Sequence, residues 1–167
     1  MIEFKNAVLG RHGHTLLSQR MTVPIAQCAD WFAALAEAGF DPSESTLWLA
    51  EGLMMYLPAE IQHAVLGQID AGSAPGSRCY IDFVTTSFSA AGAKDTADPY
   101  LFLNIDWDAL PLAEDGSDHR ARAQLTDFGW TVSTAAVADV ATGSARLLDS
   151  HPYGDGSVVL MTAQKSK

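Results

Sequence analysis

Three side chains in this sequence stand where their types and spacing could do chemistry: Glu51, Tyr56 and Asp82. Glu51 and Gly52 follow Leu47-Trp48-Leu49-Ala50, a short apolar run without polar alternation. Such a run has the pattern of a strand buried on both faces of a parallel sheet. An acid and a glycine at the carboxyl end of a buried strand lie where open α/β sheets bind ligands, because there the crevice meets water and the backbone can turn sharply. Glu51 is therefore the leading candidate for a ligand contact. Asp82 comes near the end of a second strand-like run and would face the same rim, as a substrate contact or as a satisfied surface carboxylate. Tyr56 is either a ligand contact or packing.

Other reactive side chains are less well placed. His12 and His14 could share a metal if their segment were extended, but no carboxylate or cysteine is near enough in sequence to finish a site. They read as solvated loop histidines, and His63 as a surface histidine beside an apolar helix face. The two cysteines, Cys28 and Cys79, read as buried free thiols in a reducing compartment. No metal site and no catalytic acid–base pair is expected.

Composition narrows the class. The 167 residues carry 10 Lys and Arg against 20 Asp and Glu, and 48% of the chain is apolar. That length and apolar fraction suit one globular domain with a real core. A formal net charge of -10 argues against nucleic-acid binding, since no basic stripe can neutralise phosphates. No apolar run approaches the roughly 18 residues of a membrane span, and the reading is of a cytoplasmic protein.

The elements that must position these residues follow from periodicity and punctuation. Met1 to Arg20 has a weak helical pattern around Phe4, Val8, Leu16 and Leu17. Met21 to Ile25 is a β-prone run broken at Pro24, hence an edge strand or a strand end. Asp30 can cap a helix through Trp31, Leu35 and Glu37, with Gly39 where helices stop. After the Leu47 to Ala50 strand, Pro58 and Glu60 suit the first turn of a helix whose face carries Ile61, Val65, Leu66 and Ile69 and which ends at Gly72. In Ser77 to Val84, Cys79, Ile81 and Phe83 alternate with Arg78, Tyr80 and Asp82, the pattern of the next parallel strand. A helix from Arg120 to Phe128 closed by Gly129, a strand from Trp130 to Ala135, a helical turn at Val137 to Ala141 and a last strand from Ser157 to Gln164 complete the chain. The final two strands pair antiparallel in this reading. Thr85 to Arg120 has little periodicity and turns aromatic at Tyr100, Phe102 and Trp107.

Several stretches together carry a resemblance. They are Trp48-Leu-Ala-Glu-Gly-Leu-Met-Met-Tyr-Leu-Pro58, Phe4-Lys5, Asp30-Trp31, Ala38-Gly39-Phe40-Asp41, Ala74-Pro75-Gly76-Ser77-Arg78, Leu125-Thr126-Asp127-Phe128-Gly129-Trp130 and Val158-Val159-Leu160-Met161-Thr162-Ala163. As a set they resemble the leucine carboxyl methyltransferase-like group of S-adenosylmethionine-dependent O-methyltransferases, over nearly the whole chain and matching the second half of such an enzyme.

The resemblance implies an α/β fold, part of a class I (Rossmann-like) three-layer sandwich with a mostly parallel sheet and a terminal antiparallel strand. It implies a single domain over residues 1–167 that lacks the glycine-rich cofactor loop. It also implies S-adenosyl-L-methionine as cofactor and a small-molecule hydroxyl or carboxyl as methyl acceptor. Glu51 and Gly52 would contact the cofactor, Tyr56 the methyl donor or the acceptor, and Tyr100, Phe102 and Trp107 would line an acceptor pocket unless they only pack. One departure is that Val23-Pro24-Ile25-Ala26-Gln27 has Ala26 where the family shows an adenine-contacting aspartate. With the missing loop, this implies weak cofactor binding or none. The alternative is a non-catalytic remnant acting as an interaction or structural domain. The Leu47 to Ala50 strand would also have an open edge, to be covered by the Met21 to Ile25 strand or by a second copy in a homodimer.

Overall fold

The computed structural model describes residues 2–11, 18–25, 31–84, 116–141 and 158–166. His12, His14, Ala26, Cys28, Asp30, Tyr100, Phe102 and Trp107 lie outside them. The chain divides into two compact units, Met1–Asp41 and Pro42–Lys167.

The first unit contains α1 (Ile2–Arg11) and α2 (Trp31–Glu37). The end of α2 is where the sequence placed it. Gly39 takes the left-handed φ of 94°, the Phe40 N–H reaches back to the Leu35 carbonyl at 2.9 Å, and the Gly39 N–H reaches the Ala36 carbonyl at 3.0 Å. These paired bonds satisfy carbonyls that the helix end leaves open, and they need a residue tolerant of positive φ. Phe40 then meets the Phe32 ring edge-on, with 5.8 Å between centroids. Residues 21–25, expected as a strand, are not one. β-prone composition supplies side chains that suit a sheet, but a strand also needs a pairing partner, and Pro24 has no N–H to offer one.

The second unit is built on a four-stranded sheet with spatial order β1-β2-β4-β3. The strands are β1 (Leu47–Ala50), β2 (Arg78–Val84), β3 (Trp130–Ala136) and β4 (Val158–Lys165). β1 and β2 are parallel, while β4 runs antiparallel to both its neighbours, so the expected antiparallel pairing of the last two strands is present. The helices are α3 (Ala59–Ala71), α4 (Ser117–Asp127) and the short α5 (Val137–Ala141). α4 begins three residues before the predicted Arg120, behind Gly116, whose left-handed φ of 75° starts the turn.

Alternation along the strands sorts the two faces of the sheet. Cys79, Ile81 and Phe83 of β2, Met161 and Ala163 of β4, and Trp130 of β3 are buried on one face. Leu66 and Ile69 of α3 and Ala121 and Leu125 of α4 complete this core. The end of α3 is pinned to the sheet by polar contacts. The Trp130 indole N–H donates to Asp70 Oδ1 at 2.8 Å, the Lys165 ammonium pairs with the same oxygen at 2.9 Å, and that ammonium also donates to the Asp70 carbonyl at 2.8 Å. A cation on the last carbonyls of a helix complements its dipole as well as its open acceptors.

One expectation fails here. β1 is not buried on both faces, since Leu47 is 58% and Leu49 61% exposed, whereas its place at an edge of the sheet among the described strands is the open edge expected above. Trp48 and Ala50 face inward, and the Trp48 indole N–H donates to Ser73 Oγ at 2.8 Å. The Met21 to Ile25 segment does not form the covering strand, since it is no strand at all.

Cys79 is fully buried and free. Burial disfavours the thiolate and pushes its pKa up to about 12 from 9.0. Because the folded value exceeds the unfolded one, this contribution to stability is complete below pH 9.0 and is lost as the pH rises towards about 12. In a Cys28→Ser background at pH 8, native protein should therefore resist an aromatic disulfide reagent while urea-unfolded protein reacts at once. Equal rates would show that the thiol is accessible.

Candidate functional site

The site is built where β1 and β2 end together. The parallel register runs from Leu47↔Arg78 to Ala50↔Ile81 and then stops. Beyond it, Gly52 takes a φ of 59°, a left-handed conformation that glycine adopts without the Cβ clash of other residues. Its N–H donates to Asp82 Oδ1 at 2.7 Å, so the two strand exits named from the sequence are joined by a hydrogen bond.

Glu51 and Asp82 line the same groove, with a volume of ≈ 610 Å³. Its floor is the sheet face opposite the helices, with Leu49, Tyr80, Leu160 and Thr162 side by side, and Val140 of α5 stands at its border. Among the described lining residues there are two carboxylates and no basic side chain. A groove with charges of one sign and a low-dielectric wall concentrates ligands of the opposite sign.

After Gly52 the chain forms a 3₁₀ turn, Met54–Tyr56, which the sequence did not reveal. Gln62 of α3 holds it. Its side-chain amide donates to both the Met54 and Leu57 carbonyls at 2.9 Å, and the residue is 3% exposed. Gln62 was overlooked as a polar residue beside Glu60 and His63. The signal was its place at helical spacing from Leu66 and Ile69, on the face that enters the core. Met54 and Leu57 are buried by this arrangement, whereas Tyr56 is 39% exposed and is not among the residues lining the groove. The structure thus brings Glu51, Gly52 and Asp82 together and leaves Tyr56 apart. His63 is exposed on α3, away from the groove. Among the described residues no cluster of three or more His, Cys, Asp or Glu side chains could hold a metal ion, and no helix is long and apolar enough to cross a membrane.

The sequence profile of the family "Leucine carboxyl methyltransferase" matches residues 1–70, a span that includes β1, Glu51, Gly52 and the 3₁₀ turn. A Mycolicibacterium smegmatis protein provisionally named an S-adenosyl-L-methionine-dependent methyltransferase is 37% identical over 174 residues, covering 99% of this chain and 56% of the relative. The chain resembles the leucine carboxyl methyltransferase family. A second such relative from the same organism is 38% identical over 144 residues, covering 85% of this chain and 48% of its own length. A Mycobacterium tuberculosis protein, also provisionally named an S-adenosyl-L-methionine-dependent methyltransferase, is 36% identical over 142 residues, covering 84% of this chain and 46% of the relative. The chain spans about half the length of the curated relatives it matches. Among solved structures, an O-methyltransferase family protein from Burkholderia thailandensis superposes with a TM-score of 0.44 at 13% identity, covering 82% of this chain and 39% of the other. At that TM-score the fold rests on the strand order and register of this chain alone.

Proposed function

We propose that this chain serves an S-adenosyl-L-methionine-dependent O-methyltransferase, with Glu51 and Gly52 as cofactor contacts and a small-molecule hydroxyl or carboxyl as acceptor. The observation that carries the reading is the groove at the β1 and β2 exits, whose charged side chains among the described residues are both carboxylates. Those residues suit the cofactor chemically. A sulfonium nucleoside offers positive charge, an ammonium group and ribose hydroxyl donors to a carboxylate, and an adenine ring to apolar and aromatic walls.

The reversed β4 between β2 and β3 supports the class I layering that the resemblance implies, with three strands running one way and one the other. The cofactor supplies an electrophilic methyl group on an already activated leaving group. The protein's share is then to bind, align and exclude water, with no covalent intermediate of its own. Glu51 accepts from the cofactor, the left-handed Gly52 turns the backbone out of its path, and Leu49 and Tyr80 shield the groove floor. Tyr56, set on the turn held by Gln62, is proposed to reach the acceptor.

Calorimetric titration with S-adenosylhomocysteine tests this. Saturable heat is expected from the unmodified chain, and Glu51→Ala should weaken binding roughly 10- to 100-fold, the worth of one hydrogen bond to a charged group. An absence of heat at high micromolar ligand would remove the proposal. One observation favours a second reading, a non-catalytic domain that pairs with another chain. The outer edge of β1 has no partner among the described strands, and Leu47 and Leu49 beside it are exposed. In that reading a homodimer joined at β1 elutes at twice the chain mass and takes up no ligand.

A further inference from the structure

We propose that Asp82 is a positioning residue for Glu51, acting through the backbone of Gly52 and not by touching ligand. The inference rests on reading the Glu51 rim as a nucleoside site, and it goes beyond that reading by giving Asp82 a separate task. The β1–β2 ladder ends at Ala50↔Ile81, just before the residue that must face the groove. An edge strand that stops there leaves the next peptide free to turn, and with it the Glu51 side chain. The Asp82 carboxylate supplies what the ladder no longer does. It takes the Gly52 N–H at 2.7 Å, across a sequence separation of 30 residues, and clasps the two strands one step further than their backbones can.

Because Gly52 N is bonded to the Glu51 carbonyl carbon, fixing that N–H fixes the peptide that orients Glu51. The clasp also offsets a conformational liability. Gly52 has a φ of 59° and, among the described residues, nothing within 4 Å of the place a Cβ would occupy. Glycine in such a turn gives up more backbone freedom than any other residue, and a charge-assisted bond to its N–H is a strong local restraint.

Hydrogen exchange of the Gly52 amide, followed by NMR without ligand, tests the clasp itself. Asp82→Ala should accelerate that exchange about tenfold or more, while Asp82→Asn, which keeps an acceptor oxygen, should stay within about threefold of the unmodified chain. The Ile81 amide, inside the sheet, should not change in either. Unaltered Gly52 exchange in Asp82→Ala would overturn the proposal. If that variant does not fold, Asp82→Asn decides alone: the weaker neutral acceptor should move the Gly52 amide proton upfield, and an unmoved resonance overturns the clasp.

Titration with S-adenosylhomocysteine then separates positioning from contact by a double-mutant cycle. Asp82→Ala should weaken binding about tenfold in the unmodified chain and not at all in a Glu51→Ala background. An equal loss in both backgrounds would place Asp82 on the ligand and refute the positioning role. If the unmodified chain binds no S-adenosylhomocysteine, the cofactor reading has failed, and the exchange arm still decides whether Asp82 holds the turn.

Discussion

Replacing Phe83 by alanine is expected to remove about 3–5 kcal/mol of folding stability, the range for deleting a buried aromatic side chain and leaving its cavity behind. Phe83 is 1% exposed and sits on β2, two residues past the last β1 pair and paired with Val159 of β4. β4 cannot close the space without breaking its own ladder. Single domains have only about 5–15 kcal/mol in total, so this change should bring the chain near its unfolding limit at room temperature. The control is Tyr80→Ala on the same strand. Tyr80 is 38% exposed on the opposite, groove-lining face and should cost about 1 kcal/mol. Urea titration checks both: the midpoint should fall sharply for Phe83→Ala with little change in slope, and slightly for Tyr80→Ala. Equal shifts would mean that the two faces of the sheet are not the core and the groove described above.

Gln62→Met should cost about 1–3 kcal/mol although it introduces a more apolar residue into a buried position. The substitution keeps the length of the side chain and removes both donors: the buried Leu57 carbonyl loses the Gln62 amide, while the Met54 carbonyl keeps the Leu57 N–H at 3.1 Å. An orphaned buried acceptor costs more than an ordinary hydrogen bond contributes when made. Thermal unfolding should show a drop of about 3–10 °C for a domain of this size. Gln62→Glu replaces donors by acceptors without changing shape and should be at least as harmful at neutral pH. A neutral Gln62→Met would mean that the 3₁₀ turn carrying Tyr56 is held by packing alone.

How far the sequence could be read depended on what each signal measures. β2 was legible because Cys79, Ile81 and Phe83 alternate with polar neighbours, and alternation reports a face directly. The stop of α2 was legible because Gly39 is a local conformational requirement. β1 was only half legible. Leu47, Trp48, Leu49 and Ala50 are all apolar, so their pattern could not say which of them faces solvent, and edge or centre is decided by neighbours far away in sequence. Residues 21–25 misled for the same reason, since their composition suits a sheet in which no partner takes them up.

At the site, the acid and the glycine of the Glu51-Gly52 turn stood out by type. The Gly52 to Asp82 bond did not, because it depends on a parallel register that no local pattern encodes. Gln62 went unnoticed since an amide beside Glu60 and His63 reads as the solvent side of a helix.

The sheet order also governs when this protein can assemble during synthesis. β4 lies between β2 and β3 yet is the last of the four strands to leave the ribosome. Until it emerges, β3 has no partner among the described strands and β2 presents a bare edge, so the β1–β2 pair and the α3 helix wait as a partial structure. Such waiting states fold slowly and attract other chains. Pausing translation late in the message, or depleting chaperones that shield nascent strands, should therefore lower the yield of this chain more than that of a domain whose strands pair in the order they are made.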